Sequence, residues 1–200
     1  MAAAFRYLSK QGYDEGIAGH ISLRDPENPH QFWINPLVKA FSTMKASDLV
    51  LVDEKGNIQK GGNQAAINPA GFMIHSAIHK ARPDVNAAVH THSVYGKAFS
   101  AFGIELDMIS QDACKHRIAD PKSLANDLRR SGNFFYQDHS VYPNFGGTVL
   151  DEEEAGHIAE ALGTNSAVIL QNHGLLTVGS TVDEATYLYG ALDRLCHGKF

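Results

Sequence analysis

The chain predicts an α/β fold in a single domain. Short β-patterned runs and helix-patterned runs interleave along its 200 residues, and no repeat, low-complexity tract or linker divides them. Apolar residues make up 44% and charged residues 20%, the balance of a folded chain with a sizeable core.

Residues 1–11 read as a short helix ending near Gly12, and Gly16 and Gly19 interrupt regular structure beyond it. Ile21-Ser-Leu-Arg24 reads as a strand, closed by the Pro- and Asn-rich turn at 25–29. Phe32-Trp-Ile34 starts a second strand that Pro36 stops, and Leu49-Val-Leu-Val52 a third, with a turn at 54–57 leading into Ile58. Pro69 suits the first turn of a helix running to about Ala81, with Phe72, Ile74, Ala77 and Ile78 at roughly helical spacing. His75 and His79, four apart, share a second face of that helix. Arg82-Pro-Asp84 ends it.

Next come a strand over 85–92 and a helix from Ser93 to about Phe102. The stretch 104–147 is the least regular, with short strands expected at Phe134-Phe-Tyr136 and near Val141-Tyr142. Gly146-Gly147 marks a turn or a close backbone approach. A helix at 152–162, a strand at Ala167–Leu170, a hairpin-like Leu175–Val178 and a last helix from Val182 to about His197 complete the reading. Asp183 and Glu184 favour that final helix start.

A formal charge of −5 gives no pull toward nucleic acid or anionic membrane. The acidic run Asp151-Glu-Glu-Glu154 reads as a solvated helix start. Cys114 and Cys196 make no disulfide framework and read as passive, which points to a reducing, cytoplasmic setting. No segment has the length and apolarity of a signal peptide or a membrane span.

The most informative run is Asn86-Ala-Ala-Val-His90-Thr-His92-Ser93. Histidines at i and i+2 of a strand present both imidazoles on one face. Neutral imidazoles on rigid backbone are good ligands for transition metals. A third, His173, ends the strand-like Val168-Ile-Leu-Gln-Asn-His-Gly174. The competing interpretation, three hydrogen-bonded strand-end histidines, is the plainer one for an arbitrary trio.

Together Ala18-Gly-His-Ile-Ser-Leu-Arg24, Leu49-Val-Leu-Val-Asp53, Ala81–His92, Phe145-Gly-Gly147 and Leu170-Gln-Asn-His-Gly-Leu-Leu-Thr-Val-Gly179 resemble the class II aldolase/adducin family over nearly the whole chain. The resemblance implies a central, mainly antiparallel sheet flanked by helices, and His90, His92 and His173 as ligands of a divalent transition metal, zinc first, with iron or manganese as alternatives. It also implies a homo-oligomer, commonly a tetramer, with sites at subunit boundaries. Three histidines leave a coordination position for water or substrate.

The chain departs from the family pattern at informative places. The glutamate that family aldolases carry at the start of the helix before the histidine strand aligns with Gly71, and their phosphate-holding serines with Pro69 and Ala70. The Thr-Gly or Ser-Gly of a second phosphate contact aligns with Leu37-Val38, and a family asparagine with His20. These exchanges predict a non-phosphorylated substrate. They leave proton transfer to other groups: His20 and His75, which the resemblance places near the cleft, and His139 or Tyr142 from a polar, aromatic cluster at 136–142. Asp107, Gln111 and Asp112 are candidates for the same rim. For each, a turn cap or a core histidine is the plainer alternative.

The leading expectation is a metal-dependent lyase, aldolase- or decarboxylase-like, acting on a small carbonyl or carboxylate substrate through a metal-stabilised enolate. A non-haem iron oxygenase on an aromatic substrate is the second. A non-catalytic module like the adducin head is the third, suggested by Ala70-Gly-Phe72 and His75-Ser-Ala-Ile78.

Overall fold

The computed structural model describes residues 1–107, 109–110, 113, 135–144 and 146–199. Gln111, Asp112, Cys114 and Phe134 therefore lie outside the described residues. Seven strands form one sheet: β1 His20–Arg24, β2 Gln31–Ile34, β3 Val50–Asp53, β4 Ala87–Thr91, β5 His139–Tyr142, β6 Ala167–Leu170 and β7 Gly174–Gly179. Their order is β3-β2-β1-β4-β7-β6-β5, and every pairing is antiparallel except β5 with β6. The expected three-layer α/β architecture is the observed one.

Five helices flank the sheet among the described residues: α1 Ala2–Lys10, α2 Pro69–Ala81, α3 Val94–Ser100, α4 Glu152–Leu162 and α5 Val182–His197. Local chemistry sets their starts. The Asn68 side chain accepts from the Ala70 and Gly71 amides with Pro69 at the first position, Asp151 caps α4, and Thr181 caps α5. Glu152, Glu153 and Glu154 line the first turn of α4, as the acidic run predicts.

Alternation along the strands sorts side chains into two cores. Ala87 and Val89 of β4 join Phe5, Leu8, Tyr189 and Leu192 beneath α1 and α5, whereas Ala88 joins Ile74, Ile78, Ile158 and Leu162 beneath α2 and α4. By the same alternation His90 faces the α2 side and Thr91 the α5 side. A smaller cluster of Phe32, Ile34, Val50, Val52 and Phe72 closes the sheet under α2.

One expected strand is corrected. Phe135 and Tyr136 are not in a strand; Phe135 is buried in the core and Tyr136 opens a turn. The physical reason is Gln137, whose φ of 57° turns the chain before a ladder can form, so pairing starts at His139 opposite Ala167. Gly146 and Gly147 behave as the sequence suggests. The Gly146 amide donates to Glu154 Oε1 at 3.1 Å, and Gly147 has a φ of 101°.

Candidate metal centre

His90, His92 and His173 meet where β4 ends and β7 begins. One ring nitrogen from each lies within 4.8 Å of the others, a span that one ion with bonds of about 2 Å bridges after small ring rotations. Their ring centroids are 4.7–5.1 Å apart, with interplanar angles of 70–79°. Near-perpendicular rings meet edge to face rather than stacked. Among the described residues this is the one cluster of histidine, cysteine or carboxylate groups able to hold a metal.

The backbone around His173 explains the Asn-His-Gly spacing. Asn172 takes a φ of 57°, a left-handed conformation that asparagine tolerates, and its amide donates to Ser100 O at 3.3 Å. Gly174 then lies so close to β4 that a Cβ would stand 2.8 Å from Thr91 O. The turn therefore carries the ligand in on a conformation and an approach distance that few other residues allow.

Position and protonation suit ligation. His90 Nδ1 donates to Leu175 O at 2.9 Å, which fixes the ring and leaves Nε2 as the nitrogen able to ligate. Burial, followed by the neighbouring imidazoles, holds His90 neutral, well below the ordinary histidine range. Burial lowers His92 as well, against the opposing pull of Glu15. Burial and then His92 push His173 down to about 4. Opposite the trio, on the other face of β4, Thr91 Oγ1 donates to Tyr189 Oη at 2.6 Å, and Tyr189 also contacts Ser93 Oγ at 3.0 Å. The Gly96 amide donates to Asp193 at 3.0 Å, tying α3 to α5. Tyr189 and Asp193 thus anchor the end of the histidine strand. Sequence reading missed them because nothing local marks them; only the crossing of α5 over β4 does.

His20 sits directly opposite His90 in the β1–β4 register, its ring stacked on that of His90 at 6.2 Å between centroids. His75 contacts His20 edge-on at 5.9 Å. Behind them Ser22 Oγ lies 2.6 Å from His75 Nδ1 and 2.8 Å from His79 Nε2. One hydroxyl carries one proton, so Ser22 donates to one imidazole and accepts from the other. A continuous row of buried polar side chains thus leads from the trio into the α2–β1 interface. Ser22 and the inward face of His79 were absent from the sequence reading, although the i, i+4 spacing of His75 and His79 and the i, i+2 spacing of His20 and Ser22 carry the signal.

The remaining candidates stand elsewhere. His139 is three residues before the end of β5 that neighbours the trio, and both its ring nitrogens are engaged: Nδ1 donates to Phe135 O at 2.7 Å and Nε2 accepts from the Leu106 amide at 3.0 Å. That arrangement is a structural clasp between segments, with no nitrogen left for proton transfer. Tyr142 lies in the core beneath α2 and α4, where burial and then Glu154 and Asp151 raise its pKa. Its electrostatic neighbours are the acidic start of α4 rather than the trio. Asp107 is exposed and paired with Lys199. Cys196 is buried, and burial raises its thiol pKa.

A seven-stranded sheet sandwiched by helices, with three histidines from β4 and the β6–β7 turn converging at one end, defines an α/β domain with a histidine trio able to hold a metal. The chain belongs to the class II aldolase and adducin N-terminal domain family, whose model matches residues 1–199. It is 41% identical over 197 residues to decarboxylase NovR of Streptomyces niveus, covering 98% of this chain and 66% of the relative. It is 40% identical over 197 residues to the 4-hydroxy-3-prenylphenylpyruvate oxygenase/4-hydroxy-3-prenylbenzoate synthase of Streptomyces roseochromogenus subsp. oscitans, covering 98% and 64%. Among solved structures it is similar to an L-fuculose 1-phosphate aldolase from Glaciozyma antarctica PI12, with a TM-score of 0.81, 43% identity, and coverage of 99% of this chain and 69% of that one. The chain thus spans about two thirds of the length of these relatives. No helix among the described residues is long and apolar enough to cross a membrane.

Proposed function

We propose that the domain is a metal-dependent lyase that cleaves a carbon–carbon bond beside a carbonyl or carboxylate in a small, non-phosphorylated substrate, aldolase- or decarboxylase-like. The observation that carries this reading is the convergence of three neutral imidazoles within 4.8 Å, one of them locked by a backbone carbonyl. His90, His92 and His173 would hold a divalent ion, zinc first, with iron or manganese as alternatives. Such an ion supplies Lewis-acid stabilisation of the oxyanion that develops as the bond breaks.

The chain's own residues supply the setting. His90 and His20 are buried and thereby exclude water from the inner wall of the site. Burial, followed by His92 and His173, pushes His20 down to about 4, so it is a neutral imidazole near pH 7, a weak base that lines the site and can accept a hydrogen bond from a bound substrate. His75, also held neutral by burial, and Ser22 support it from behind. His139 and Tyr142 take no part in this reading.

A non-phosphorylated substrate is favoured by the segment after Pro36. The exposed Val38 side chain offers no donor, and the charge of Lys39 beside it is engaged by Asp48 at 3.4 Å. The relative named for a phenylpyruvate oxygenase supports an aromatic 2-oxo acid as the first class to test, with an aromatic 2-hydroxy acid beside it, and the relative named a decarboxylase supports loss of carbon dioxide. A homo-oligomer, tetrameric by the family resemblance, belongs to the same proposal. Light scattering of the purified protein tests it.

The deciding assay incubates protein loaded with zinc, manganese or iron(II) with phenylpyruvate and 4-hydroxymandelate, with and without oxygen. Metal-dependent carbon dioxide release without oxygen consumption, leaving phenylacetaldehyde from phenylpyruvate or 4-hydroxybenzyl alcohol from 4-hydroxymandelate, is the expected result. Turnover that requires iron and consumes oxygen instead establishes the oxygenase reading, which the 40% identity to a named oxygenase favours as the second. Failure of the trio to bind any of these metals, with retained binding to a protein partner, points to the adducin-like module.

A further inference from the structure

Glycine is a poor helix residue, and the third position after an asparagine cap is one where helix starts favour glutamate or glutamine. Gly71 occupies that position in α2, and its φ lies outside the left-handed region, so the backbone does not demand glycine. Space does. A Cβ at residue 71 would stand 2.4 Å from Nε2 of His20 and 2.5 Å from both neighbouring ring carbons. The His20 ring is 4% exposed, and neither of its nitrogens has a hydrogen-bond partner in the protein. It is wedged between the first turn of α2 and His90 of the trio.

The trio brings no negative charge of its own. Among the described residues no aspartate or glutamate joins it, and Glu15, which acts on His92 through space, is exposed and paired with Lys97. A divalent ion held by three neutral imidazoles keeps its full charge.

We infer that His20 and Gly71 interlock to keep side-chain carboxylates off the trio, so that the site selects an organic anion chelating through a carboxylate and an adjacent oxygen. The interlock is a property of the fold. The anion selectivity rests on the metal reading proposed above, and it makes His20 a specificity-determining residue as well as a wall.

Two measurements test the two halves. In metal-free protein, Gly71→Ala lowers Tm by about 4 °C or more, and His20→Asn/Gly71→Ala recovers at least half of the loss, because the smaller amide vacates the contested space. An unchanged Tm in Gly71→Ala, or no recovery in the double variant, overturns the interlock. In cobalt(II)-loaded protein, oxalate is titrated and followed by the visible absorption of the metal. Wild type binds oxalate at least ~10-fold more tightly than His20→Asn/Gly71→Glu, whose new carboxylate competes for the charge. His20→Asp, which leaves residue 71 untouched, shows the same direction should the double variant fail to fold. Equal oxalate affinity in wild type and the carboxylate variant overturns the selectivity. Absence of a cobalt spectrum in wild type removes the metal reading and the anion selectivity with it, while the Tm cycle still decides the interlock.

Discussion

Substituting His79 by glutamine should flatten the acid sensitivity of the metal-free protein by an amount the structure fixes. His79 is 3% exposed on α2, and burial, followed by the charge of Arg24, pushes its pKa down to about 3. In the unfolded chain the imidazole titrates near its ordinary value of about 6.5. Below that value the unfolded chain takes up a proton that the folded one refuses. The stability tied to a neutral His79 is therefore complete above about pH 6.5 and is lost as the pH falls toward about 3. The slope is about 1.4 kcal/mol per pH unit, so moving from about pH 7 to about pH 5 costs about 2 kcal/mol for this one ring. Whole domains are stable by roughly 5–15 kcal/mol, so the loss is readily measured. Glutamine keeps a polar group within reach of Ser22 and cannot be protonated. Urea unfolding at the two pH values, on wild type and His79→Gln without metal, isolates the contribution. The wild type should lose about 2 kcal/mol more than the variant. Equal losses in the two proteins would refute a neutral, dry His79 and the buried row of which it is the end.

Other outcomes rest on the same geometry. His90→Ala, His92→Ala and His173→Ala should each weaken zinc binding by about 100-fold or more in a chelator competition, with secondary structure unchanged by circular dichroism. Gly174→Ala should both destabilise the fold by about 2 kcal/mol or more and weaken metal binding, because a Cβ there would stand 2.8 Å from Thr91 O. Wild-type metal affinity after that substitution would mean that the turn does not position His173. Tyr189→Phe removes the hydroxyl shared by Thr91 and Ser93 and should cost about 1–2 kcal/mol in urea unfolding without displacing the metal.

The patterned elements were legible because their signals are local. The helix at 69–81 is marked by Pro69 in its first turn and ended by Arg82-Pro-Asp84, and the observed α2 has those bounds. The helix at 152–162, the strand at 167–170 and the helix from Val182 to His197 also match, each marked by acidic residues at its start or by an apolar run. The strand expected at 134–136 failed for the converse reason. Aromatic residues suit strands, but for Phe135 and Tyr136 the positive φ at Gln137 turns the chain before the ladder that starts at His139.

The candidate site divides along the same line. His90 and His92 on one face follow from strand alternation, and the Asn-His-Gly run carries its own backbone logic, so the linear chain alone pointed to the family and to the three histidines that converge. Contacts between residues distant in sequence decided the rest. His20 lies near the trio because β1 pairs with β4, while His139 is withdrawn because Phe135 and Leu106 claim both its nitrogens. No spacing rule reports that a ring from residue 20 fills the space above residue 71. Alternation and capping act within a few residues, whereas the volume a side chain may occupy is set by neighbours that meet only once the sheet has formed and α2 has closed over it.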